Sequence, residues 1–336
     1  MRIALDVMGG DHAPTVTVAG AVAAARAYGV EVALVGRPDA IRAELGQHDT
    51  TGLVLPIVEA PEVIGMDEHA ATAARRKPTS SIHLALRQVR DGAAAAMVSA
   101  GNSGAVMAAA LFVLGRVPGI DRPAIGALLP LAKGWVFLID AGANTDPKPA
   151  QLVQFGQMGA VYMERVRGVA RPRVGLLANG EEPSKGNELV QAAHPLLAAS
   201  GLNFVGNIEG KDVTAGLADV VVTDGFTGNV ALKLTEGVAS LLLGLIRAEL
   251  TRDPLTKILA AGLKPAFGRV RQRLDYRETG GAPLLGVEGV TIIAHGRSDA
   301  LAIQNAIRAA KETVEGGALD AIRSLRQGQP SGRGIE

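Results

Sequence analysis

Cysteine is absent from this chain of 336 residues, and aromatic residues make up only 3% of it. The absence of cysteine excludes disulfide bonds, thiolate metal sites and a cysteine nucleophile. The formal net charge is only +1, so no strongly basic domain indicates a nucleic-acid partner. No apolar run approaches the ~18 residues that a membrane span needs, and Asp6 interrupts the first apolar run too early for a signal peptide. We therefore expect a soluble, cytoplasmic protein.

Several common catalytic motifs are missing as well. The chain has no GxxxxGK[ST] phosphate loop and no GxGxxG after a strand, which argues against a P-loop nucleotidase and a dinucleotide-binding fold of that kind. It also lacks HExxH and GxSxG, so zinc hydrolase and serine esterase chemistry are not indicated. The sequence predicts neither a metal site nor a cofactor.

Short runs of Val, Leu, Ile and Ala alternate along the chain with longer stretches of helical spacing. Runs such as 3–7, 95–99 and 220–223 are typical of buried strands, and stretches such as 151–165 are typical of helices. This alternation predicts an α/β fold, a three-layer α/β/α sandwich with a mainly parallel sheet. We expect residues 1–327 to form one catalytic domain and residues 328–336 to form a flexible tail.

Residues 231–277 depart from the alternation, because helical spacing continues there without a strand. We predict a protruding helical hairpin that is broken near Asp253 and Pro254. Its second half combines basic residues with apolar residues on one face: Leu255, Ile258, Leu259, Leu263 and Phe267. A basic amphipathic helix of this kind suits the surface of an anionic membrane. Packing in the core or in a dimer interface is the alternative.

Bare polar turns follow several predicted strands and lead into helices. The clearest are "VSAGNSGAVM" (98–107), "LANGEEPSKGNEL" (177–189), "DGFTGNVALK" (224–233) and "AHGRSDALAI" (294–303). The carboxyl ends of parallel strands meet at one edge of a sheet, where helix starts present unpaired N–H groups and a partial positive charge. Such turns predict an anion site, although Gly, Asn and Ser also serve as ordinary turn and capping residues. His12, His83 and His295 could act as bases, or be structural.

Four motifs in this order, "DVMGGDHAP", "SAGNSGA", "DGFTGNVALK" and "GGAPLLGVEGVTIIAHGRSD", resemble the bacterial acyl-acyl-carrier-protein:phosphate acyltransferases of phospholipid synthesis. The likeness extends from the first residues to about Leu325. Ser103 stands where this family is expected to have Thr, another hydroxyl donor. The resemblance implies a fold similar to phosphotransacetylase and isopropylmalate dehydrogenase.

The resemblance also implies a reaction, in which a long-chain acyl group passes from acyl carrier protein to inorganic phosphate and gives acyl phosphate. The implied partners are acyl carrier protein, phosphate and a membrane glycerol-3-phosphate acyltransferase that uses the product. A homodimer with peripheral contact at the inner face of the membrane is implied too. Basic residues that could dock the acidic carrier protein are Arg75, Arg76 and Lys77, or the cluster within 264–277.

The roles that we predict follow from this chemistry. Lys185 neutralises the phosphate or the oxyanion, and Asn229 donates to the carbonyl oxygen. Phosphate is held by Gly101, Asn102, Ser103, Gly104 and Thr227. Weaker candidates are His12, His295 and Arg297, and Asp224 is expected to fix its loop.

Two other functions remain open at this point. One is a metal- and NAD-dependent decarboxylating dehydrogenase of similar fold, which would need clustered aspartates. The other is a non-enzymatic phospho-ligand sensor, which would bind phosphate without turning over a thioester.

Overall fold

The predicted strands form one sheet in the computed structural model, which describes residues 1–274 and 276–325. Within these residues the sheet has 11 strands. They are β1 (Arg2–Asp6), β2 (Glu31–Gly36), β3 (Ile57–Glu59), β4 (Ala96–Ser99), β5 (Ala124–Pro130), β6 (Trp135–Ile139), β7 (Arg173–Leu177), β8 (Asn203–Ile208), β9 (Val220–Val222), β10 (Ala282–Leu285) and β11 (Val290–Ile293).

Helices connect most of these strands. They are α1 (Thr15–Tyr28), α2 (Pro38–Leu45), α3 (Ala70–Arg76), α4 (Ser81–Arg90), α5 (Ser103–Val113), α6 (Pro149–Arg165), α7 (Glu188–Ala198), α8 (Gly210–Ala215), α9 (Gly225–Leu250), α10 (Pro254–Ala261), α11 (Lys264–Leu274), a 3-10 turn (Tyr276–Glu278), α12 (Ala300–Glu315) and α13 (Ala318–Ser324).

The sheet is covered by helices on both faces, as predicted. In β1, Ile3 and Leu5 pack with residues of α1 and α12 on one face. Ala4, between them, packs with α4 and α5 on the other face. Successive side chains of a strand point to opposite faces, so a strand that is apolar at every position requires two helix layers. The fold is therefore a layered α/β fold with a mostly parallel sheet.

The direction of the strands reverses at three consecutive pairings in the middle of the sheet, which the sequence did not reveal. The strand order is β3-β2-β1-β4-β11-β10-β5-β6-β9-β7-β8. β10 is antiparallel to β11 and to β5, and β5 is antiparallel to β6. The strands on the β1 side and those on the β9 side consequently run in opposite directions. The prediction that all strand-to-helix turns share one edge is wrong for this reason.

Strand register nevertheless brings the two sets of carboxyl ends together. Ile293, the last residue of β11, pairs with Ala282 of β10, and β10 pairs Leu284 with Ile125. In β5, the next residue, Gly126, pairs with Ile139, the last residue of β6. Continued along β10, this register leaves the ends of β11 and β6 about one residue, or ~3 Å, out of level. They are three strand spacings, about 14 Å, apart across the sheet.

The hairpin differs from its prediction in two ways. α9 begins at Gly225 rather than near 231. The predicted amphipathic second half of the hairpin forms two helices, α10 and α11, which are separated at Gly262 and Leu263. The side chains of Leu255, Ile258 and Leu259 lie outside the described part of the structure. Leu263 is exposed and Phe267 is partly exposed. Residues 326–336, which include the predicted tail, also lie outside the described residues.

α9 also corrects the expectation that no segment could span a membrane. Its 26 residues are long and apolar enough to do so by length and composition, with a mean hydropathy of 1.4 over 18 residues. Lys233, Glu236 and several Gly, Ser and Thr residues interrupt its apolar residues, so no unbroken apolar run appears in the sequence. Its first turns, however, carry Asn229, Lys233 and Glu236 and lie against the protein, as described below.

Candidate active site

A cavity of about 740 Å³ lies where the two sets of strand ends meet. It is lined by the residues that follow three strands, namely Ser103 after β4, Ala141 and Gly142 after β6, and the segment 294–298 after β11. Asp11, from the turn after β1, and the inner face of α9 complete its polar part. The volume lies within the range of small-molecule sites.

The carboxylate of Asp6 connects the turns that follow β1 and β4. This carboxylate is fully buried and accepts hydrogen bonds from the Ser99 hydroxyl at 2.6 Å and the Met8 amide at 3.1 Å. Ser99 Oγ in turn accepts from the amide of Gly101 at 3.0 Å. Burial raises the pKa of Asp6, and the hydrogen bonds from Ser81 and Ser99 oppose this rise. The network fixes the ends of β1 and β4, and hence the start of α5.

Asp140 performs the same task on the other side of the cavity. It is fully buried, and its Oδ1 accepts from the amides of Ile125, Gly142 and Ala143 at 3.0–3.1 Å. Its Oδ2 accepts from the Asn144 amide at 2.7 Å. Burial raises the pKa of Asp140, and these hydrogen bonds lower it. One carboxylate therefore organises the whole turn after β6.

The N-terminus of α9 is seated on this turn. The Gly225 amide donates to the Asn144 carbonyl at 2.6 Å, and Asp224 caps the helix by accepting from the Thr227 amide at 2.8 Å. A Cβ at Gly225 would lie 2.7 Å from the Asn144 oxygen, so glycine is required for this approach. The prediction that Asp224 fixes its loop agrees with this capping contact.

Asn229 lies in the second turn of α9 and lines the cavity. Its Nδ2 donates to the Ala141 carbonyl at 3.1 Å. A Cβ at Gly142, which has φ +143°, would come within 2.9 Å of Nδ2. An amide carries two N–H donors, and the contact with Ala141 uses one of them. The carbonyl contact thus sets the orientation of a side chain that retains a second donor for a ligand.

Basic and polar side chains surround the opening of the cavity. Lys233 lies one turn after Asn229 on the same helix face, and Arg297 and His295 come from the turn after β11. Nδ1 of His295 accepts from the Arg297 amide at 3.2 Å, which places the proton of a neutral ring on Nε2. Arg277 pairs with Asp299 at 2.7 Å. Lys233 and Arg297 add positive charge that favours an anion, beside the carboxylates of Asp11 and Glu236 in the same lining.

Four of the predicted site residues therefore line one cavity: Ser103, Asn229, His295 and Arg297. Asn102 has a different role from the predicted one. Its Oδ1 caps α5 by accepting from the Ala105 amide at 3.1 Å, and its Nδ2 donates to the carbonyls of Met66 and Glu68. Because these contacts use both of its donors, the side chain of Asn102 holds the 66–68 loop against α5 instead of a phosphate.

The other predicted residues are absent from the described lining of this cavity. Gly101 is buried and bonded to Ser99, and Gly104 lies in the first turn of α5. The side chain of His12 is exposed in the turn after β1. Thr227 lines a separate cavity of about 520 Å³ with Asp146 and Asn187. His83, the last of the three candidate histidines, is buried, and its Nδ1 lies within hydrogen-bond distance of the Ser80 hydroxyl, at 2.9 Å. Burial lowers the pKa of His83.

Lys185, the predicted cation of the site, is exposed in the loop after β7, where its amide donates to the Glu182 carbonyl at 3.0 Å. Among the described lining residues the lysine is Lys233. Sequence reasoning missed Lys233, although its spacing of four residues from Asn229 already placed both side chains on one helix face. The role of Lys185 stays a prediction.

Of the three residues at 75–77 that were predicted to dock the carrier protein, Lys77 makes contacts within the protein. Lys77 Nζ donates to the Val63 carbonyl at 2.8 Å and pairs with Glu68 at 2.5 Å. It therefore holds the 63–68 loop in place. Arg75 and Arg76 lie in the last turn of α3 and stay candidates for docking.

Comparisons with known proteins decide the family. A family profile described as "Fatty acid synthesis protein" matches residues 1–320. A phosphate acyltransferase of Pelotomaculum thermopropionicum is 55% identical over 324 residues, which cover 96% of this chain and 94% of that protein. One from Herpetosiphon aurantiacus is 53% identical over 348 residues, covering 94% and 95%. The chain belongs to the phosphate acyltransferase family. It is therefore an acyltransferase of lipid biosynthesis.

Solved structures agree on the fold. A phosphotransacetylase from Streptococcus pyogenes superposes with a TM-score of 0.61 at 17% identity, covering 96% of this chain and 94% of that one. The EutD phosphotransacetylase from Staphylococcus aureus gives 0.60 at 16% identity, covering 93% and 94%. A 4-hydroxythreonine-4-phosphate dehydrogenase from Klebsiella pneumoniae gives 0.55 at 15% identity, covering 94% and 99%. At these identities the likeness concerns the fold alone.

No group of three or more His, Asp or Glu side chains gathers to hold a metal ion in the part of the chain that the structure describes. The clustered aspartates that a metal-dependent dehydrogenase would need are thus not found among these residues. Asp6 and Asp140 are engaged by backbone amides instead.

Proposed function

We propose that the protein transfers a long-chain acyl group from acyl-acyl carrier protein to inorganic phosphate, releasing acyl phosphate and free carrier protein. One observation carries the proposal: Ser103, Asn229 and Lys233 line the same cavity as the apolar residues Ile125, Ala127 and Leu129 of β5. Polar donors and a cation suit phosphate and a developing oxyanion, whereas the apolar residues suit a fatty chain. Membership of the phosphate acyltransferase family supports the same reaction.

The reaction needs no covalent enzyme intermediate. An oxygen of phosphate forms a bond to the thioester carbon, and the carbonyl oxygen takes the negative charge. The C–S bond then breaks, and the thiolate of the carrier protein leaves and takes up a proton. Alignment of the two reactants and stabilisation of the oxyanion are the contributions required of the protein.

Residue roles follow from the geometry of the opening. Asn229, oriented by the Ala141 carbonyl, offers its second N–H to the thioester oxygen. Lys233 neutralises phosphate one helical turn away, and the Ser103 hydroxyl at the start of α5 donates to it. Losing one donor to an oxyanion typically costs about 2.7–4 kcal/mol in the transition state. Lys185 retains its predicted role only if its loop reaches the phosphate when substrate binds.

The proposal is tested with purified protein and palmitoyl-acyl carrier protein, with and without phosphate. Thiol release should depend on phosphate, and hydroxylamine should trap the product as palmitoyl hydroxamate. Asn229→Ala should lower the rate at least about 100-fold in a folded protein. Thiol release that ignores phosphate would indicate a thioesterase instead. Phosphate binding without thiol release would indicate a sensor, and a phosphate-independent absorbance change with NAD and a 2-hydroxy acid would indicate a dehydrogenase.

A homodimer and peripheral membrane contact belong to the same proposal. The outer face of α9 carries a row of exposed apolar side chains at Phe226, Val230, Leu234, Leu241 and Leu245, each at least half exposed. Exposed Leu263 follows in the turn between α10 and α11. Such a surface fits a second copy or a lipid surface better than water. The product would then reach a membrane glycerol-3-phosphate acyltransferase directly.

Two measurements separate the two contacts. Sedimentation equilibrium should give twice the chain mass, and Leu234→Glu should give a monomer. Flotation with anionic vesicles should recover the wild type, and Leu263→Glu should weaken it. A monomeric wild type that does not float would contradict both parts.

A further inference from the structure

Apolar residues of the central cavity follow one another along strand β5. Ile125, Ala127 and Leu129 occupy alternate positions of β5 and therefore face the same side of the sheet, and all three line the cavity. Leu131, two residues further, lines it as well and packs beside Leu129. These four residues form an apolar stripe about 20 Å long at the rise of a strand.

The stripe begins at the reactive end of the site. Asn229 donates to the Ala141 carbonyl at 3.1 Å, and the Ala141 amide donates to the Ile125 carbonyl at 2.8 Å. Two hydrogen bonds thus connect the amide assigned to the thioester oxygen with the first residue of the stripe. An acyl chain whose carbonyl oxygen is held by Asn229 has its first methylenes beside Ile125.

α9 runs along the stripe and covers it. Leu232 packs with the cluster that contains Ile125 and Ala127, and also with the cluster that contains Leu129. Ala239 lies on the same lined face, about 15 Å along the helix from Asn229. Both residues lie on the inner face of the helix, whereas the exposed apolar row described above lies on its outer face.

Other apolar residues of the lining are Ala282, Ile293 and Val270. Polar residues line the cavity as well, namely Thr214, Thr235, Glu236, Arg277 and Thr279. A cavity with polar donors at one end and an apolar strand along one wall fits a fatty acyl chain better than a wholly polar substrate. We propose that the stripe from Ile125 to Leu131, covered by Leu232 and Ala239, is the acyl-chain channel, and that Ala239 and Leu131 at its far end determine the accepted chain length. The proposal rests on the acyl transfer proposed above.

The test uses the variant Ala239→Trp, whose larger side chain should narrow the far end of the proposed channel. Ser240→Trp is the matched control, since Ser240 is the next residue of α9, is exposed and does not line the cavity. Rates of phosphate-dependent thiol release are measured with octanoyl-, dodecanoyl- and palmitoyl-acyl carrier protein. Burial of a methylene contributes about 0.8 kcal/mol, or about fourfold. Displacing two methylenes should therefore lower the palmitoyl-to-octanoyl ratio of kcat/KM by about tenfold or more in Ala239→Trp and leave it unchanged in Ser240→Trp.

Calorimetric titration with palmitate, without phosphate, gives a second readout. The wild type should bind palmitate, and Ala239→Trp should weaken that binding while octanoate binding is retained. Binding of this kind without any phosphate-dependent release would reject the acyl transfer but retain the channel. Turnover with an unchanged chain-length ratio and unchanged palmitate binding would overturn the channel. If Ala239→Trp does not fold, Leu131→Trp carries the same test at the end of β5.

Discussion

Gly228 is the residue at which the seating of α9 can be tested most directly. It lies in the first turn of the helix, and a Cβ built there would be 1.9 Å from the backbone oxygen of Asp140. Real Cβ contacts stay beyond 3.0 Å, so Gly228→Ala must displace the helix start or the Asp140 turn by about 1 Å. Because a Cβ is fixed in position by the backbone and its neighbour is a backbone oxygen, no side-chain rotation relieves the contact.

The expected loss of stability combines two opposing effects. Alanine favours a helix over glycine by about 1 kcal/mol, while overpacking costs about 1–3 kcal/mol, near the upper end when backbone is displaced. Gly228→Ala should therefore lower the free energy of unfolding by about 2 kcal/mol. Gly237→Ala is the matched control, because it lies on the same helix and its added Cβ meets nothing within 4 Å. That variant should gain about 1 kcal/mol.

The displacement should affect turnover more than stability. Asn229 and Lys233 follow Gly228 on the same rigid helix, and a misplacement of about 1 Å can lower a rate about 100-fold. Gly228→Ala and Gly237→Ala should differ both in their free energy of unfolding in urea and in their rate of phosphate-dependent thiol release. Equal unfolding free energies in Gly228→Ala and Gly237→Ala, or a wild-type rate in Gly228→Ala, would refute the proposed seating of α9 on the Asp140 turn.

Three further expectations concern single residues. Lys233→Ala should raise the KM for phosphate and lower kcat/KM about 100-fold, and a larger loss in Lys185→Ala than in Lys233→Ala would show that the loop lysine is the main cation instead. Asn102→Ala should lower the free energy of unfolding by about 1 kcal/mol or more in urea. Asn102→Asp should also be destabilised although it retains the cap, because its carboxylate would face the Met66 and Glu68 carbonyls without a donor. Burial lowers the pKa of His83, so its contribution to stability is present above about pH 6.5 and is lost as pH falls through the lowered pKa. The melting temperature of His83→Gln should therefore fall less than that of the wild type between about pH 7.5 and about pH 5, with unchanged activity at about pH 7.5.

The predicted strands show where sequence reasoning succeeds. An apolar run such as Val220–Val222 between polar turns is unambiguous, and β9 forms there. β10 was missed because its residues, "APLL", follow two glycines and contain Pro283, which together resemble a turn. That omission also concealed the reversal of the sheet, since β10 is antiparallel to both of its neighbours. The pairing of β10 with β5 joins residues far apart in the sequence, and no local pattern records it.

Only part of the candidate site could be predicted, because contacts between distant residues decide which side chains face it. Ser103 and Asn229 follow strands whose ends do meet, and both line one cavity. Asn102 has the same chemistry, but its hydrogen bonds are used by the 66–68 loop. Which polar residue faces a ligand and which one holds a neighbouring loop depends on contacts far apart in the sequence.

The turn "DGFTGNVALK" combines, within ten residues, glycines that the packing of α9 requires and side chains that line the cavity. Its glycines, at 225 and 228, are explained by the close approach of α9 to the backbone of Asn144 and Asp140, rather than by the approach of an anion. Asp224 caps the helix, and the spacing of Asn229 and Lys233 places both on the cavity face. The glycines are thus a requirement of packing that determines where the reactive side chains stand. It follows that a change at either glycine should affect turnover without touching a substrate.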